Sequence, residues 1–216
     1  MTVFDFGSGP VPAHRHSNGG GWVADTATVA DTAYVGPNAR VYGNARAFVN
    51  ALVCGRAQVF GDATVSGTAQ VSGTAMVYGD ARVFGNARAF GRAQVFGYAR
   101  VFGNAQVFGK AMVSGNAEVY GNARVSGNAQ MFGDARVFGT IQIDSRIIAA
   151  NRSDGYTFLI CRDSENVIRI TAGCRYFTPE EAISHWTNTR SGTKLGAESL
   201  QIVDHLVKML AIKESS

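Results

Sequence analysis

Side chains with catalytic potential are few in this sequence and lie near its two ends. Cys174 and His185 could act as a nucleophile and its base, since a neighbouring imidazole activates a thiol. No third residue that would orient the base is identifiable, and the alternative is that Cys174 is a buried thiol. These two residues are therefore the candidates for nucleophilic catalysis.

A second pair of candidate groups, His14 and His16, precedes a glycine-rich segment. Because side chains alternate along an extended chain, residues two apart project to the same side. Two imidazoles supply half of the donors that a tetrahedral metal site needs. The sequence offers no further ligands nearby, and the alternative is a surface loop followed by Trp22, which would plug the end of the fold. We therefore expect no metal and no other resident cofactor.

Between these ends the sequence repeats every six residues. Glycine is frequent, at 26 of 216 residues, and proline is rare, at 4, which favours a periodic fold over a disordered linker. From Val23 to Ile143 the hexad starts 21 times, and its first residue is Val in 17 of them. Ala stands four positions later in 19 of 20 hexads. Gly stands two positions after the first residue in 16 of 17 hexads between 43 and 139, and Val49 is the exception.

Each column of the hexad has a physical role. Ala and Val stand two apart, so both face one side of a short strand and the residue between them faces the other. Gly and the Asn or Asp after it tolerate the positive φ of a sharp corner. Such short strands bury their Ala and Val only by coiling and stacking on neighbouring turns. At three hexads per coil, the 21 hexads predict a triangular parallel β-helix of seven coils, about 34 Å tall.

The residues after the repeat differ in composition and predict a small α/β module that caps the coil. Two strands are expected over 156–161 and 166–171. Thr178 begins a helix as its N-cap, with Pro at the first position and Glu at the third, and a second helix is expected over 198–210. The predicted fold is mainly β and has three parts, which are a lead-in and cap over 1–21, a β-helix over 22–143 and a ββαα domain over 144–216.

The first hexads, Val23–Thr28, Val29–Tyr34 and Val35–Arg40, fit an aliphatic, small-or-acidic, any, any, small, any pattern. In this they resemble hexapeptide-repeat proteins, which are left-handed parallel β-helices and often homotrimeric acyltransferases. The Gly-Asn-Ala repeats behind a PAHRHSNGGGWVA lead-in are similar to phage- and prophage-encoded hexapeptide-repeat proteins labelled transferase-like. The resemblance implies a left-handed coil, a homotrimer, and a place in the cytoplasm of a bacterial host or in a virion.

The catalytic part of this resemblance does not extend to the repeat itself. Hexapeptide acyltransferases resemble one another in using a histidine base beside a loop that interrupts the coil. Residues 22–143 contain no histidine and no break in phase, which favours a non-catalytic protein. The alternative is an acyltransferase with an acyl-thioester donor such as acetyl-CoA, whose base would be His185 or His205 from the cap of a neighbouring subunit.

Residues just after the Val column project outward, and those 18 apart share a face. Two of the three resulting columns are dense in aromatic residues. Stacked rings stabilise neighbouring coils, whereas long apolar columns on a surface also mark a partner or self-association face. The predicted interaction residues are Phe60, Tyr78, Phe96, Phe84, Phe102, Tyr120 and Phe138, with Arg82 and Arg100 beside them.

The favoured function is a non-catalytic β-helical scaffold that forms a homo-oligomer and binds a protein partner, either a virion component or a host protein that it inhibits. Another hypothesis is capture of a nucleotide-like ligand between aromatic columns of adjacent subunits. Nucleic acid is disfavoured because residues 22–143 contain no basic run. No apolar run approaches the ~18 residues of a membrane helix, and no secretory signal is visible, so a cytoplasmic place is expected.

Overall fold

Each hexad of the repeat forms one short strand, of three residues in β3 and of two residues in the others. The computed structural model describes residues 2–143, 148–163, 165–173 and 175–214. The first residue of each repeat strand faces outward and the second faces the core, as the alternation along a strand requires. The strands up to the end of the repeat are β1 (Val3–Asp5), β2 (Pro10–Arg15), β3 (Trp22–Ala24), β4 (Thr28–Val29), β5 (Tyr34–Val35), β6 (Arg40–Val41), β7 (Arg46–Ala47), β8 (Leu52–Val53), β9 (Gln58–Val59), β10 (Thr64–Val65), β11 (Gln70–Val71), β12 (Met76–Val77), β13 (Arg82–Val83), β14 (Arg88–Ala89), β15 (Gln94–Val95), β16 (Arg100–Val101), β17 (Gln106–Val107), β18 (Met112–Val113), β19 (Glu118–Val119), β20 (Arg124–Val125), β21 (Gln130–Met131), β22 (Arg136–Val137) and β23 (Gln142–Ile143).

The repeat strands stack into three parallel sheets, which form the faces of a triangular coil. Strands in register are 18 residues apart, as between Gln58 and Met76. The predicted seven-coil parallel β-helix is confirmed, and its left-handed sense stays a prediction. We name the sheets face 1 (β3, β6, β9, β12, β15, β18 and β21), face 2 (β4, β7, β10, β13, β16, β19 and β22) and face 3 (β5, β8, β11, β14, β17, β20 and β23). The turns are named by the faces that they connect along the chain: corner 1–2 follows each strand of face 1, corner 2–3 each strand of face 2, and corner 3–1 each strand of face 3.

Small inward side chains and glycine corners make this coil possible. The Ala column from Ala33 to Ala129 and its Val neighbours are fully buried. At the corners the glycines adopt positive φ, and Val49, which replaces one of them, has a φ of 63°. A Cβ on Gly73 would lie 2.8 Å from the carbonyl oxygen of Gly91 in the next coil. Glycine is therefore required there both by the backbone conformation and by the close approach of successive coils.

The lead-in folds as two antiparallel strands along face 1. β1 pairs with β2, and β2 pairs with β3. The expectation that Trp22 plugs the end of the coil was wrong. Trp22 aligns with Arg40 on the outer side of face 1, because it is the next residue, Val23, that alternates inward and is buried. The Trp22 ring stacks instead on Phe4, with centroids 4.4 Å apart.

The C-terminal module is an antiparallel sheet followed by two helices. The predicted strands are confirmed as β25 (Thr157–Arg162) and β26 (Ile168–Ala172), and the sheet also contains β24 (Ile148–Asn151) and β27 (Arg175–Phe177) at its edges. Helix α1 (Pro179–Arg190) begins at the predicted N-cap, where Thr178 and Glu181 form a capping box. Helix α2 (Lys194–Glu214) contains the second predicted helix.

This sheet lies between the solenoid and the helices. Leu159 and Cys161 belong to the same buried cluster as the coil interior, whereas Phe158 and Ile160 pack with the helices, among residues that include Trp186. The alternation of side chains along β25 therefore gives the sheet two apolar sides. An isolated antiparallel bridge joins Ile141 of the last coil to Asp163, so the module covers the end of the coil, as expected.

One buried arginine ties the sheet to α2. The Arg152 guanidinium donates to both carboxylate oxygens of Asp154, at 2.9 and 2.8 Å, and to Oγ of Ser199 at 2.9 Å. It also lies 4.8 Å from the ring centroid of Tyr156. The hydrogen bonds from Arg152 lower the pKa of Asp154 to about 2. Arg152 and Ser199 are buried, whereas Asp154 is exposed, so the arginine connects the interior of the module to an ion pair at its surface.

Helices of the described chain do not reach the combination of length and apolar character that crossing a membrane requires.

Candidate interaction surfaces of the solenoid

The aromatic columns form continuous stacks of rings. The first ladder, at corner 1–2, consists of Tyr42, Phe60, Tyr78 and Phe96, whose successive centroids are 4.9, 4.8 and 4.9 Å apart. Their ring planes are within 6° of parallel. The spacing equals the distance between stacked strands, so the coil itself holds the rings in contact.

The second ladder, at corner 2–3, consists of Phe84, Phe102, Tyr120 and Phe138, with centroids 4.9, 4.9 and 5.3 Å apart. A shorter stack at corner 3–1 joins Phe90 to Phe108 at 4.8 Å. All these rings are half-buried because each covers the faces of its neighbours. The predicted aromatic residues are thus brought together, and they present ring edges to the outside.

The two predicted arginines lie on face 2 among other charged groups. Arg100 donates to Glu118 at 3.0 Å and lies 5.4 Å from the ring centroid of Phe102. Arg136 pairs with the same carboxylate at 3.2 Å. Arg82 lines a concavity that also contains Asp62, among other residues. Face 2 therefore carries both acidic and basic side chains, unlike faces 1 and 3.

Face 1 is free of charge over five consecutive outward positions, none of which was among the predicted interaction residues. Its uncharged residues alternate between amide and thioether side chains. The Tyr42 and Tyr78 hydroxyls donate to the Oε1 atoms of Gln58 and Gln94, at 2.9 and 3.3 Å. Each bond occupies the amide oxygen of one glutamine within the surface. The five residues are Gln58, Met76, Gln94, Met112 and Gln130.

Positively charged residues lie on face 3 and at corner 3–1, on the side of face 1 opposite the first ladder. All four acidic residues between 40 and 143 lie on face 2 or corner 1–2, where four arginines balance them. Face 3 and corner 3–1 carry cations alone over the same fully described stretch. The total charge of the repeat shows only a modest basic surplus, and the separation appears once residues 18 apart are aligned. We name this basic edge by its residues, Arg56, Arg88, Arg92, Lys110 and Arg124.

The candidate base His185 lies within the packing of the C-terminal module. Its ring stacks on Phe177 at 5.1 Å and meets Trp186 edge-on at 4.6 Å. Burial, and then the positive charges of Arg175 and Arg190, lower the pKa of His185. Its proposed nucleophile, Cys174, lies outside the described residues. His205 is exposed and borders a cavity beside Glu198 on α2.

The histidines of the lead-in have separate surroundings. Nδ1 of His14 lies 2.8 Å from a carboxylate oxygen of Asp25. His16 is buried, and its Nδ1 lies 3.2 Å from the backbone N–H of Asn18. In the part of the chain that the structure describes, no group of three or more His, Cys, Asp or Glu residues is placed to hold a metal ion.

Comparison with known proteins identifies the repeat. The family model described as the YdcK beta solenoid repeat matches residues 57–73 and 117–133. No curated protein and no solved structure matches the chain. The matched segments lie on different coils of one uninterrupted seven-coil solenoid. With YdcK-type repeats in this fold, the chain is a hexapeptide-repeat β-helix protein.

Proposed function

We propose that this protein is a non-catalytic β-helical scaffold that binds a protein partner through face 1 and the first ladder. The observation that supports this proposal is the uncharged surface from Gln58 to Gln130, about 19 Å long at the spacing of stacked strands. The cores of protein interfaces are depleted of charge and enriched in Met and aromatic residues. Face 1 and the first ladder have this composition.

The surroundings of face 1 indicate the chemistry of its partner. The basic edge runs along one side, with Arg56, Arg92 and Lys110 at corner 3–1 next to the Met and Gln residues. Charged rims steer association and select partners more than they add affinity. The proposed partner therefore has an apolar contact patch bordered by acidic residues on the side that meets corner 3–1.

A rigid rod suits this role because it needs no ordering on binding. The buried Ala and Val columns and the stacked rings hold the outward residues at fixed spacing, which lowers the entropic cost of association. Following the resemblance to phage-encoded chains, we propose a virion component or an inhibited host protein as the partner. The resemblance also suggests a homotrimer, which leaves the second ladder as a self-association surface.

The test adds charge to face 1 without touching the core. Met76→Glu combined with Met112→Glu places two carboxylates on face 1, and Gln70→Glu combined with Gln106→Glu places two at the equivalent outward positions of face 3. Cross-linking and mass spectrometry of the full chain in bacterial lysate identify the partner and the contacted face. Light scattering gives the oligomeric state of each variant.

We expect a partner cross-linked to face 1 that is lost in the Met variant and kept in the Gln variant. Equal binding by both variants, or contacts confined to the C-terminal module, would overturn the proposal. A trimer that binds acetyl-CoA and transfers its acyl group would replace it with the acyltransferase alternative.

A further inference from the structure

Three arginines converge on one cleft at the N-terminal end of the solenoid. The cleft has a volume of about 390 Å³ and lies where the lead-in meets the first coils. Arg15 comes from β2, Arg40 from β6 on face 1, and Arg56 from corner 3–1. Asn38 and Gln58 add uncharged polar groups to the lining. Segments distant in sequence thus build one strongly basic concavity.

Two of the three guanidinium groups are held in place by the surrounding structure. Nη1 of Arg15 donates to the carbonyl oxygens of Gly20 and Pro37, at 2.8 and 3.0 Å. The Arg15 guanidinium also lies over the Trp22 ring, 4.3 Å from its centroid. Both carbonyl oxygens accept from Nη1, so the N–H groups on the other two nitrogens do not bond to these carbonyls. Arg40 lies 5.2 Å from the centroid of Phe4. The aromatic floor thus positions the cations before any ligand arrives.

The positive charge of the cleft has no counterpart in its walls. Among the residues that the structure describes, no acidic side chain lines the cleft. Within the described residues, neither Arg40 nor Arg56 forms an ion pair, in contrast to Arg100 and Arg136, which share Glu118. Three like charges around one concavity repel one another. A bound anion would remove this repulsion.

We propose that this cleft binds the phosphoryl group of a small ligand or free phosphate. Guanidinium groups present planar sets of N–H donors that match phosphate oxygens in bidentate geometry. The Trp22 ring has Phe4 stacked on it and Arg15 over it, so the ligand is recognised through its anionic group and not by stacking of an aromatic base. The cavity volume suits a small phosphate ester. This inference goes beyond the proposed partner binding and does not depend on it.

The experiment is calorimetric titration of the full chain with inorganic phosphate and, separately, with glycerol 3-phosphate. Arg40→Gln and Arg56→Gln each remove one cation from the cleft. Arg92→Gln is the matched control, because it removes a cation at corner 3–1 two coils further along, outside the cleft. Arg56 is exposed, so its replacement leaves the fold intact even if Arg40→Gln does not.

We expect saturable binding with one site per chain, weakened about tenfold by Arg56→Gln and unchanged by Arg92→Gln. Tighter binding of the ester than of phosphate identifies an organic phosphate as the ligand, and equal binding identifies free phosphate. Absence of saturable binding, or equal weakening by the Arg92 and Arg56 replacements, would overturn the proposal, because it would leave only diffuse attraction to basic residues.

Discussion

The ring of Phe6 stacks on the ring of Tyr42 with centroids 4.7 Å apart. Phe6 thereby extends the first ladder by one ring, because the equivalent corner position of the preceding coil is Ala24, which has no ring. Ala24 precedes Tyr42 by one coil, 18 residues, and Phe6 packs with it in a separate buried cluster. At the other end Tyr176 of the C-terminal module meets Phe138 of the second ladder at 6.1 Å. The two ladders thus connect the repeat to the segments on either side of it.

Removal of this contact should release the lead-in. Phe6→Ala deletes a buried ring, and such replacements cost about 3–5 kcal/mol when the site does not collapse. We expect faster amide hydrogen exchange in β1 and β2 and altered Trp22 fluorescence, while the coil keeps its melting temperature. Val11→Ala, at an exposed position of β2, is the control. Unchanged protection of β1 in Phe6→Ala would show that the stack does not anchor the lead-in.

Replacement of corner glycines by alanine should destabilise the fold to different extents, depending on whether a following coil packs against the glycine. Gly73 and Gly139 have nearly equal φ values, 70° and 69°, so alanine meets the same backbone strain at both. Only at Gly73 does a backbone atom of the next coil approach the new Cβ, whereas nothing lies within 4 Å at Gly139. We expect Gly73→Ala to lower the unfolding free energy by about 1–3 kcal/mol more than Gly139→Ala. Denaturant titration measures the difference, and equal losses would contradict it.

Val49 should be a position where glycine stabilises the fold. Its φ of 63° lies in the left-handed region that a β-branched residue rarely adopts, and its side chain is half exposed. The strain of about 1–2 kcal/mol exceeds the entropic cost of glycine, about 0.5–1 kcal/mol. We expect Val49→Gly to raise the melting temperature and Val49→Ala to raise it less. A lower melting temperature for Val49→Gly would mean that packing of the valine outweighs the strain.

The C-terminal module should be sensitive to acid. The pKa of Asp154, about 2, lies below its ordinary value of 3.8. The ionised carboxylate therefore contributes to stability above pH 3.8, and this contribution is lost as the pH falls through 2. We expect the near-ultraviolet circular dichroism of Trp186 to change over this range.

The variant Asp154→Asn separates this effect from other acidic groups. It should weaken the module at neutral pH and flatten the pH dependence. The remaining change comes from Asp163, whose pKa is lowered chiefly by its hydrogen bond with Arg169, and from Glu198, whose pKa is lowered chiefly by its hydrogen bond with Ser153. An unchanged acid transition in Asp154→Asn would place the sensitivity elsewhere.

The sequence alone determined the coil because its information is local. The Ala and Val columns fix which side chains face inward, and the glycine column fixes where the backbone takes positive φ, as Val49 shows by its exception. The premise of three hexads per coil, which makes the section triangular, is confirmed by the three sheets. The cap of α1 was equally predictable, since the capping box at Thr178 involves residues three apart.

Only the tertiary structure decided which distant residues meet. The strands of the lead-in and the edge strands β24 and β27 form by pairing with neighbours, so their own sequences carry little signal. Trp22 was misplaced for the same reason, because its position depends on Phe4 and β2. The basic cleft joins Arg15, Arg40 and Arg56 from three segments. Strand pairing and ring stacking of this kind depend on contacts between residues that are distant in the sequence, and a local sequence pattern contains no information about such contacts.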